Sequence, residues 1–110
     1  MWYHLTELDT ALRYGIHTVT VVNNNHSLCQ EKQVNEWVYK GQKPGSDELW
    51  MLTDADWAKI AESMGCFGIQ VNHASELSSA LDQAFASGKP AVVDVKTHIK
   101  GIAPPPWAPE

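Results

Sequence analysis

The sequence feature that most constrains the fold is a short apolar run that ends abruptly in three asparagines. Residues 18–22 read Thr-Val-Thr-Val-Val, and Asn23, Asn24 and Asn25 follow directly. Such a β-branched run is typical of a strand that is buried on both faces, as in parallel sheets covered by helices. Asparagine favours turns, because its side chain bonds nearby backbone and tolerates unusual dihedral angles. We therefore expect the strand to stop at the first asparagine and to leave carboxamides at its carboxyl end.

The asparagines are candidate ligand contacts, because ligands of open α/β sheets bind at the carboxyl ends of the strands. The alternative is an ordinary polar loop, and this stretch alone does not separate the two. A carboxamide oxygen is a hard, neutral ligand that suits Mg²⁺, although that ion usually also takes carboxylates and phosphate oxygens. His26 and Cys29 share the loop. No metal-ligand spacing links the histidines, and no base or oxyanion site identifies Cys29 as a nucleophile.

Helical and strand patterns alternate along the chain. Helices are predicted over residues 2–13, 28–40, 53–64 and 74–86. Strands are predicted over residues 18–22, 68–71 and 90–95. Because alternating strands and helices are joined by right-handed crossovers, the strands form a parallel sheet. The fold class is therefore α/β, a Rossmann-like three-layer segment with a short parallel sheet flanked by helices. Asp94, inside the last strand, is either a buried carboxylate of functional interest or an exposed group on an edge strand.

Composition limits the partners and the location of the protein. The net charge is −5, and eight basic residues are dispersed among thirteen acidic ones, which argues against a nucleic-acid partner. No apolar run approaches membrane-spanning length and no signal peptide is evident, so we expect no membrane partner. Two distant cysteines favour reduced thiols and a cytoplasmic location. Residues 1–98 are expected to form the domain, and residues 99–110, which hold four of the six prolines, an extended tail anchored by Trp107.

Several of these segments together resemble the C-terminal, diphosphate-binding part of thiamine-diphosphate-dependent enzymes, most closely the acetolactate synthase group. Pyruvate oxidase and benzoylformate decarboxylase are wider relatives. The resemblance is carried by the sequence TELDTALRYG over residues 6–15, by Asn24-Asn25 after the apolar run, and by residues 55–71, 75–90 and 91–95. Residues 34–52 and the tail are the least characteristic.

The resemblance implies that the cofactors are thiamine diphosphate and Mg²⁺. In that family an aspartate of a Gly-Asp-Gly motif, an asparagine of the Asn-Asn pair and a backbone carbonyl two residues later hold the ion. Carried over to this sequence, the metal ligands are Asn25 and the Ser27 carbonyl, and the amides of Leu28 and Cys29 face the diphosphate. The asparagine triplet leaves this register open by one residue.

The same resemblance implies a segment of a 2-oxo-acid carboligase or decarboxylase. The 110 residues contain no Gly-Asp-Gly motif and no pyrimidine-binding domain, which in the family supplies the glutamate that activates the cofactor. We therefore expect no catalysis and feeble cofactor binding by these residues alone. The expected partners are the missing upstream domains or a second copy, paired through the edge of the strand over residues 18–22. The alternative function is a non-catalytic α/β module that binds itself or a partner chain. The substrate stays open.

Overall fold

The computed structural model describes residues 1–40 and 47–101, apart from the side chains of Trp2 and Asp47. Its α-helices are α1 (Glu7–Tyr14), α2 (Cys29–Tyr39), α3 (Trp57–Ser63) and α4 (Leu77–Ala86). Its strands are β1 (Val19–Asn24), β2 (Phe67–Val71) and β3 (Ala91–Lys96). Short 3₁₀ turns cover Trp2–His4, Asp47–Leu49 and Ala74–Glu76. Glycine, proline and polar residues predict a loop over residues 41–47, of which only Asp47, at the start of a 3₁₀ turn, is described. The expected anchoring role of Trp107 also lies outside the described residues.

Within the described residues the strands form one parallel sheet in the order β1-β3-β2. This confirms the α/β class. The strand that is buried on both faces is the central β3, in which residues 91–94 are all buried. The expectation that the run at residues 18–22 would be doubly buried is wrong, because β1 lies at an edge of the sheet. Its Val21 side chain is 52% exposed.

The expected end of β1 at the first asparagine is also wrong. The strand continues through Asn23 and Asn24, which pair with Val95 and Lys96 of β3. Asparagine is a poor strand residue, but here the ladder and a buried side-chain hydrogen bond of Asn24 (described below) offset that preference. Only Asn25 therefore belongs to the turn.

Two apolar layers cover the sheet. On one face α1 and α3 supply Leu8, Trp57 and Ala61, which pack with Cys66 and Val92. On the other face α4 supplies Ala80 and Ala84, which pack with Val71, Ala91 and Val93. Because side chains alternate along a strand, Asp94 shares the face of Val92, towards α3. The helix α2 has no buried residue and lies outside these layers.

The predicted end of α1 and the predicted start of α3 had different outcomes. Gly15 ends α1 in a left-handed conformation, as expected, and its N–H donates to the Ala11 and Leu12 carbonyls. The start that the sequence predicts for α3, at Thr53, is wrong, because Asp56 is the N-cap of this helix. Its Oδ1 accepts a 2.9 Å hydrogen bond from the Lys59 amide.

Candidate functional site

The asparagine loop borders a cleft of about 170 Å³ at the carboxyl end of β1. Its lining includes Met1, Asn23 and Asn24 at the end of β1, His26, Ser27 and Leu28 in the loop, and Trp57 at the start of α3, but not Asn25 or Cys29. The carboxyl end of β1 and the amino end of a helix thus meet at one place, the position at which α/β proteins bind ligands. The predicted site lies at this edge of the sheet.

The three asparagines have different environments. Asn23 is exposed, and its Oδ1 accepts a hydrogen bond from the Thr97 hydroxyl. Asn24 is only 6% exposed, and its Nδ2 donates to Asp94 Oδ1 at 2.9 Å and to the Ala55 carbonyl at 3.2 Å. Its Oδ1 accepts the His26 amide at 3.3 Å. Asn24 is therefore committed to the interior of the protein.

Asn25 is half-buried and forms a tight local turn. Its Oδ1 accepts the Ser27 amide at 3.1 Å, the bond of an Asx turn. His26 between them has a φ of +55°, a left-handed conformation that reverses the chain. The turn brings the Asn25 carboxamide oxygen to the Ser27 amide. The resemblance assigned that carboxamide oxygen and the Ser27 carbonyl to the metal, and both residues thus belong to one turn.

A single antiparallel bridge fixes the outgoing side of the turn. Ser27 stands opposite Met51, with hydrogen bonds from Leu28 N to the Trp50 carbonyl and from Leu52 N to the His26 carbonyl, both 2.8 Å. Ser27 is the non-hydrogen-bonded partner in this pair, so the bridge does not use its own carbonyl. Trp50, the neighbour of Met51 in this bridge, is buried, with 5% of its surface exposed.

The oxygens of this turn fit Mg²⁺ in type but not in number. The Asn25 carboxamide oxygen and the Ser27 carbonyl are neutral, hard ligands. The Ser27 hydroxyl is buried and has no hydrogen-bond partner in the described part of the chain, which leaves one more oxygen unsatisfied here. Within residues 1–40 and 47–101, no three His, Cys, Asp or Glu side chains come together as a metal site. The turn can hold one side of an ion whose carboxylate comes from elsewhere.

The two predicted diphosphate contacts differ in availability. The Cys29 amide lies at the first residue of α2, where helix N–H groups lack partners within the helix and favour anions. The Leu28 amide already donates to the Trp50 carbonyl, so a phosphate oxygen there would have to share or replace that bond. The Cys29 thiol lies 3.3 Å from the Ile99 carbonyl. The assignments of Asn25, Ser27, Leu28 and Cys29 stay predictions.

Behind the loop lies a network of charges that sequence reasoning did not place. Asp94 is fully buried, which excludes the exposed edge position that the sequence left open. Its Oδ2 accepts the Trp57 amide at 3.2 Å and lies 3.3 Å from the Lys96 ammonium. The Lys96 ammonium is also 3.3 Å from Asp54 Oδ1, which in turn lies 3.2 Å from His26 Nδ1. The sequence signal that could have indicated this network is the single aspartate inside an otherwise apolar strand.

Cys66 does not add a reactive site in the described residues. Cys66 lies in the core, where burial raises the pKa of its thiol and disfavours a reactive thiolate. No helix in the described ranges combines the length and the hydropathy that a membrane crossing needs.

Comparison with known proteins identifies the family. The sequence model of the family described as "Thiamine pyrophosphate enzyme, C-terminal TPP binding domain" matches residues 1–95. The chain is 38% identical over 93 residues to the acetolactate synthase large subunit of Haemophilus influenzae, which covers 84% of this chain and 16% of that protein. It is 32% identical over 100 residues to the 2-hydroxyacyl-CoA lyase of Arabidopsis thaliana, with 81% and 16% covered. The chain thus spans 16% of the length of these relatives.

A solved structure supports the same grouping. The thiamine diphosphate-dependent 4-hydroxybenzoylformate decarboxylase of Rhodococcus jostii RHA1 superposes with a TM-score of 0.75 at 26% identity, covering 87% of this chain and 18% of that chain. Benzoylformate decarboxylase from Polynucleobacter necessarius, at 21% identity and the same TM-score, shares the fold. The sequence-based resemblance to thiamine-diphosphate enzymes is confirmed.

Proposed function

Because the chain belongs to the thiamine pyrophosphate (thiamine diphosphate) enzymes, through their C-terminal cofactor-binding domain, we propose that it supplies one side of a magnesium-and-diphosphate site. The whole enzyme would be a carboligase or decarboxylase of 2-oxo acids, like the acetolactate synthases and the decarboxylase that the chain resembles. The observation that carries the proposal is the turn at the carboxyl end of β1, in which the Asn25 carboxamide oxygen accepts the Ser27 amide, so that both residues of the proposed metal site lie in one turn.

Each part of the turn has a distinct task. Asn25 Oδ1 and the Ser27 carbonyl would hold Mg²⁺ as neutral ligands, and the amino end of α2 would face the diphosphate through the Cys29 and Leu28 amides. The bridge between Ser27 and Met51 keeps the turn in place before any ligand arrives. Thiamine diphosphate, when bound, supplies the stabilisation of a carbanion that 2-oxo-acid chemistry requires. This chain's own residues bind and orient the cofactor, and they are not catalytic.

We infer further that these 110 residues alone are inactive and bind the cofactor weakly. The turn offers only uncharged oxygens, whereas protein magnesium sites usually include one or two carboxylates. Two acidic side chains contact neighbouring residues, Asp94 at Asn24 and Asp54 at His26, and both lie against Lys96. A carboxylate from a Gly-Asp-Gly segment would complete the site, and no such motif occurs in the sequence.

Calorimetric titration tests both statements. Thiamine diphosphate is titrated in MgCl₂ into the 110-residue chain, and into a chimera that carries the segment preceding the matched region of the Haemophilus influenzae acetolactate synthase ahead of Met1. We expect a heat too weak to fit for the chain and a measurable, magnesium-dependent affinity for the chimera. Tight binding by the chain alone would contradict the inference of weakness, and a chimera without affinity would contradict the proposed site.

A second candidate function is self-association through β1. The outer edge of β1 is unpaired within the described residues, and the exposed Val21 and Ile16 lie on or next to it. Such an edge favours pairing with another strand. The proposal is a homo-oligomer, or docking of the upstream domains of a longer protein at the same edge. We also propose a cytoplasmic location, in keeping with two free cysteines.

A further inference from the structure

The sequence leaves open which asparagine of the triplet faces the ligand. We propose that Asp94 is a positioning residue that sets this register, a role that rests on the proposed function. The buried Asp94 carboxylate holds the Asn24 carboxamide in the interior, so that the Asn25 carboxamide is the one that remains available to a ligand. In this role Asp94 contacts neither the metal nor the cofactor.

The Asp94 carboxylate is buried and needs hydrogen-bond partners. It is 0% exposed at the centre of the sheet, where a charge is costly unless its oxygens are paired and hydrogen-bonded. Oδ2 accepts the Trp57 amide at the start of α3 and lies against the Lys96 ammonium. Oδ1 accepts the Asn24 Nδ2 group at 2.9 Å. The carboxylate therefore requires a donor at position 24, and an asparagine amide is such a donor.

The alternation of side chains along β1 decides which asparagine reaches Asp94. Successive side chains of a strand point to opposite faces, and Asn24 shares its face with Val22, which packs with the α1 and α3 layer. Asn24 is therefore the member of the triplet that reaches Asp94 across the β1–β3 ladder. Its Nδ2 group also bonds the Ala55 carbonyl, and its Oδ1 holds the His26 amide. One side chain thus ties β3, the segment before α3 and the loop together.

The hydrogen bonds of Asn24 in turn affect the position of Asn25. With Asn24 held inward and the His26 amide bound to it, the chain turns at His26, and Asn25 Oδ1 meets the Ser27 amide outside the buried network. If the pairing with Asp94 is lost, Asn24 has no reason to stay inward, and Asn24 and Asn25 compete for the ligand side. The metal-facing register would then be mixed.

Nuclear magnetic resonance of the ¹⁵N-labelled chain tests the proposal without any assay of activity. The first readout is solvent exchange of the Asn24 and Asn25 side-chain amides. The second is line broadening by Mn²⁺ in the presence of thiamine diphosphate, which detects even weak metal contacts. In the unchanged chain we expect slow exchange at Asn24, and broadening that starts at the Asn25 amide and at Ser27.

The test variant is Asp94→Asn, which keeps the side-chain size but removes the charge and one acceptor. The single oxygen of the new side chain cannot accept both the Trp57 amide and the Asn24 amide. We expect the Asn24 amide to exchange faster, by up to about tenfold, the effect of losing one buried hydrogen bond, and the broadening to spread to Asn24. Asp82→Asn, an exposed carboxylate on α4, is the matched control and should change neither readout. The double variant Asn24→Asp/Asp94→Asn exchanges donor and acceptor and should restore at least part of the selectivity for Asn25.

The outcomes separate the two proposals. If Asp94→Asn leaves the exchange at Asn24 and the selectivity for Asn25 unchanged, the positioning role is wrong. If Mn²⁺ broadens no loop resonance in the ¹⁵N-labelled chimera, which carries the added carboxylate, while the Asn24 amide stays protected, the proposed function fails instead. Should Asp94→Asn not fold, the unchanged chain still decides: an Asn24 side-chain amide that exchanges as fast as that of the exposed Asn23 would overturn the positioning role.

Discussion

Gly68 in β2 is the position at which the smallest change should disturb the site most. A Cβ added there would lie 2.1 Å from the Ala58 carbonyl oxygen and 2.7 Å from its carbon, both backbone atoms of α3. An unstrained carbon–oxygen contact is about 3.3 Å, so α3 would have to move away by about 1.2 Å. That movement also carries the Trp57 amide away from Asp94, because Trp57 is the first residue of α3.

The expected cost of Gly68→Ala is about 3 kcal/mol of unfolding free energy, the upper part of the range for overpacking. For a domain of this size that corresponds to a melting temperature lowered by about 12 °C or more. Circular dichroism during heating measures it. Gly15→Ala is the matched control, because nothing lies within 4 Å of its Cβ and only its φ of +64° opposes a side chain. It should cost about 1 kcal/mol.

A rescue experiment checks that the backbone is the obstacle. The contact at Gly68 is with the main chain of Ala58, so Ala58→Gly should not restore the stability of Gly68→Ala. A Gly68→Ala variant within about 1 kcal/mol of the unchanged chain, or a rescue by Ala58→Gly, would refute the close packing of α3 on β2.

Three further predictions concern the cap, the bridge and the edge. Asp56→Ala should lower the free energy of unfolding by about 1 kcal/mol near neutral pH. Because the hydrogen bond from the Lys59 amide lowers the pKa of Asp56 below its usual 3.8, this contribution should be complete above that value and disappear as the pH falls through the lower folded-state pKa. A stability difference that grows towards acid pH would contradict it. Trp50→Ala, which empties a buried site beside the loop bridge, should cost about 3–5 kcal/mol in urea unfolding, and a loss below about 1 kcal/mol would mean that the bridge does not depend on it. If β1 pairs with a second copy, light scattering should show an oligomer that Val21→Lys dissociates, whereas a monomer at high concentration would exclude self-association.

Local patterns were sufficient to predict much of the fold. Strands alternated with helices, Gly15 gave the end of α1, and the weak apolar pattern over residues 28–40 correctly predicted α2. The start of α3 was misplaced because Thr53 and Asp56 are both good caps, and only the hydrogen bond to Lys59 decides between them. Signals of this kind depend on residues close in sequence.

The errors at β1 and the unplaced network have a common cause, which is contact between distant residues. Whether the run at residues 18–22 is buried depends on its place at the edge of the sheet and not on its own composition. The partner of Asn24 is Asp94, 70 residues away, so no spacing rule connects them. The family resemblance supplied the assignment of Asn25, which stays a prediction, and the hydrogen bond between Asn24 and Asp94 is the physical reason that we propose for that register.

The measurement that tests the central claim most directly is the magnesium-dependent affinity of the chimera for thiamine diphosphate after replacement of single asparagines. Asn25→Ala removes the proposed ligand, whereas Asn23→Ala removes an exposed carboxamide that bonds Thr97. We predict that Asn25→Ala abolishes the calorimetric binding signal and that Asn23→Ala leaves it within about threefold, the scale of one weak exposed hydrogen bond. Equal losses in the two variants, or full affinity in Asn25→Ala, would contradict the assignment of the site to the Asn25–Ser27 turn.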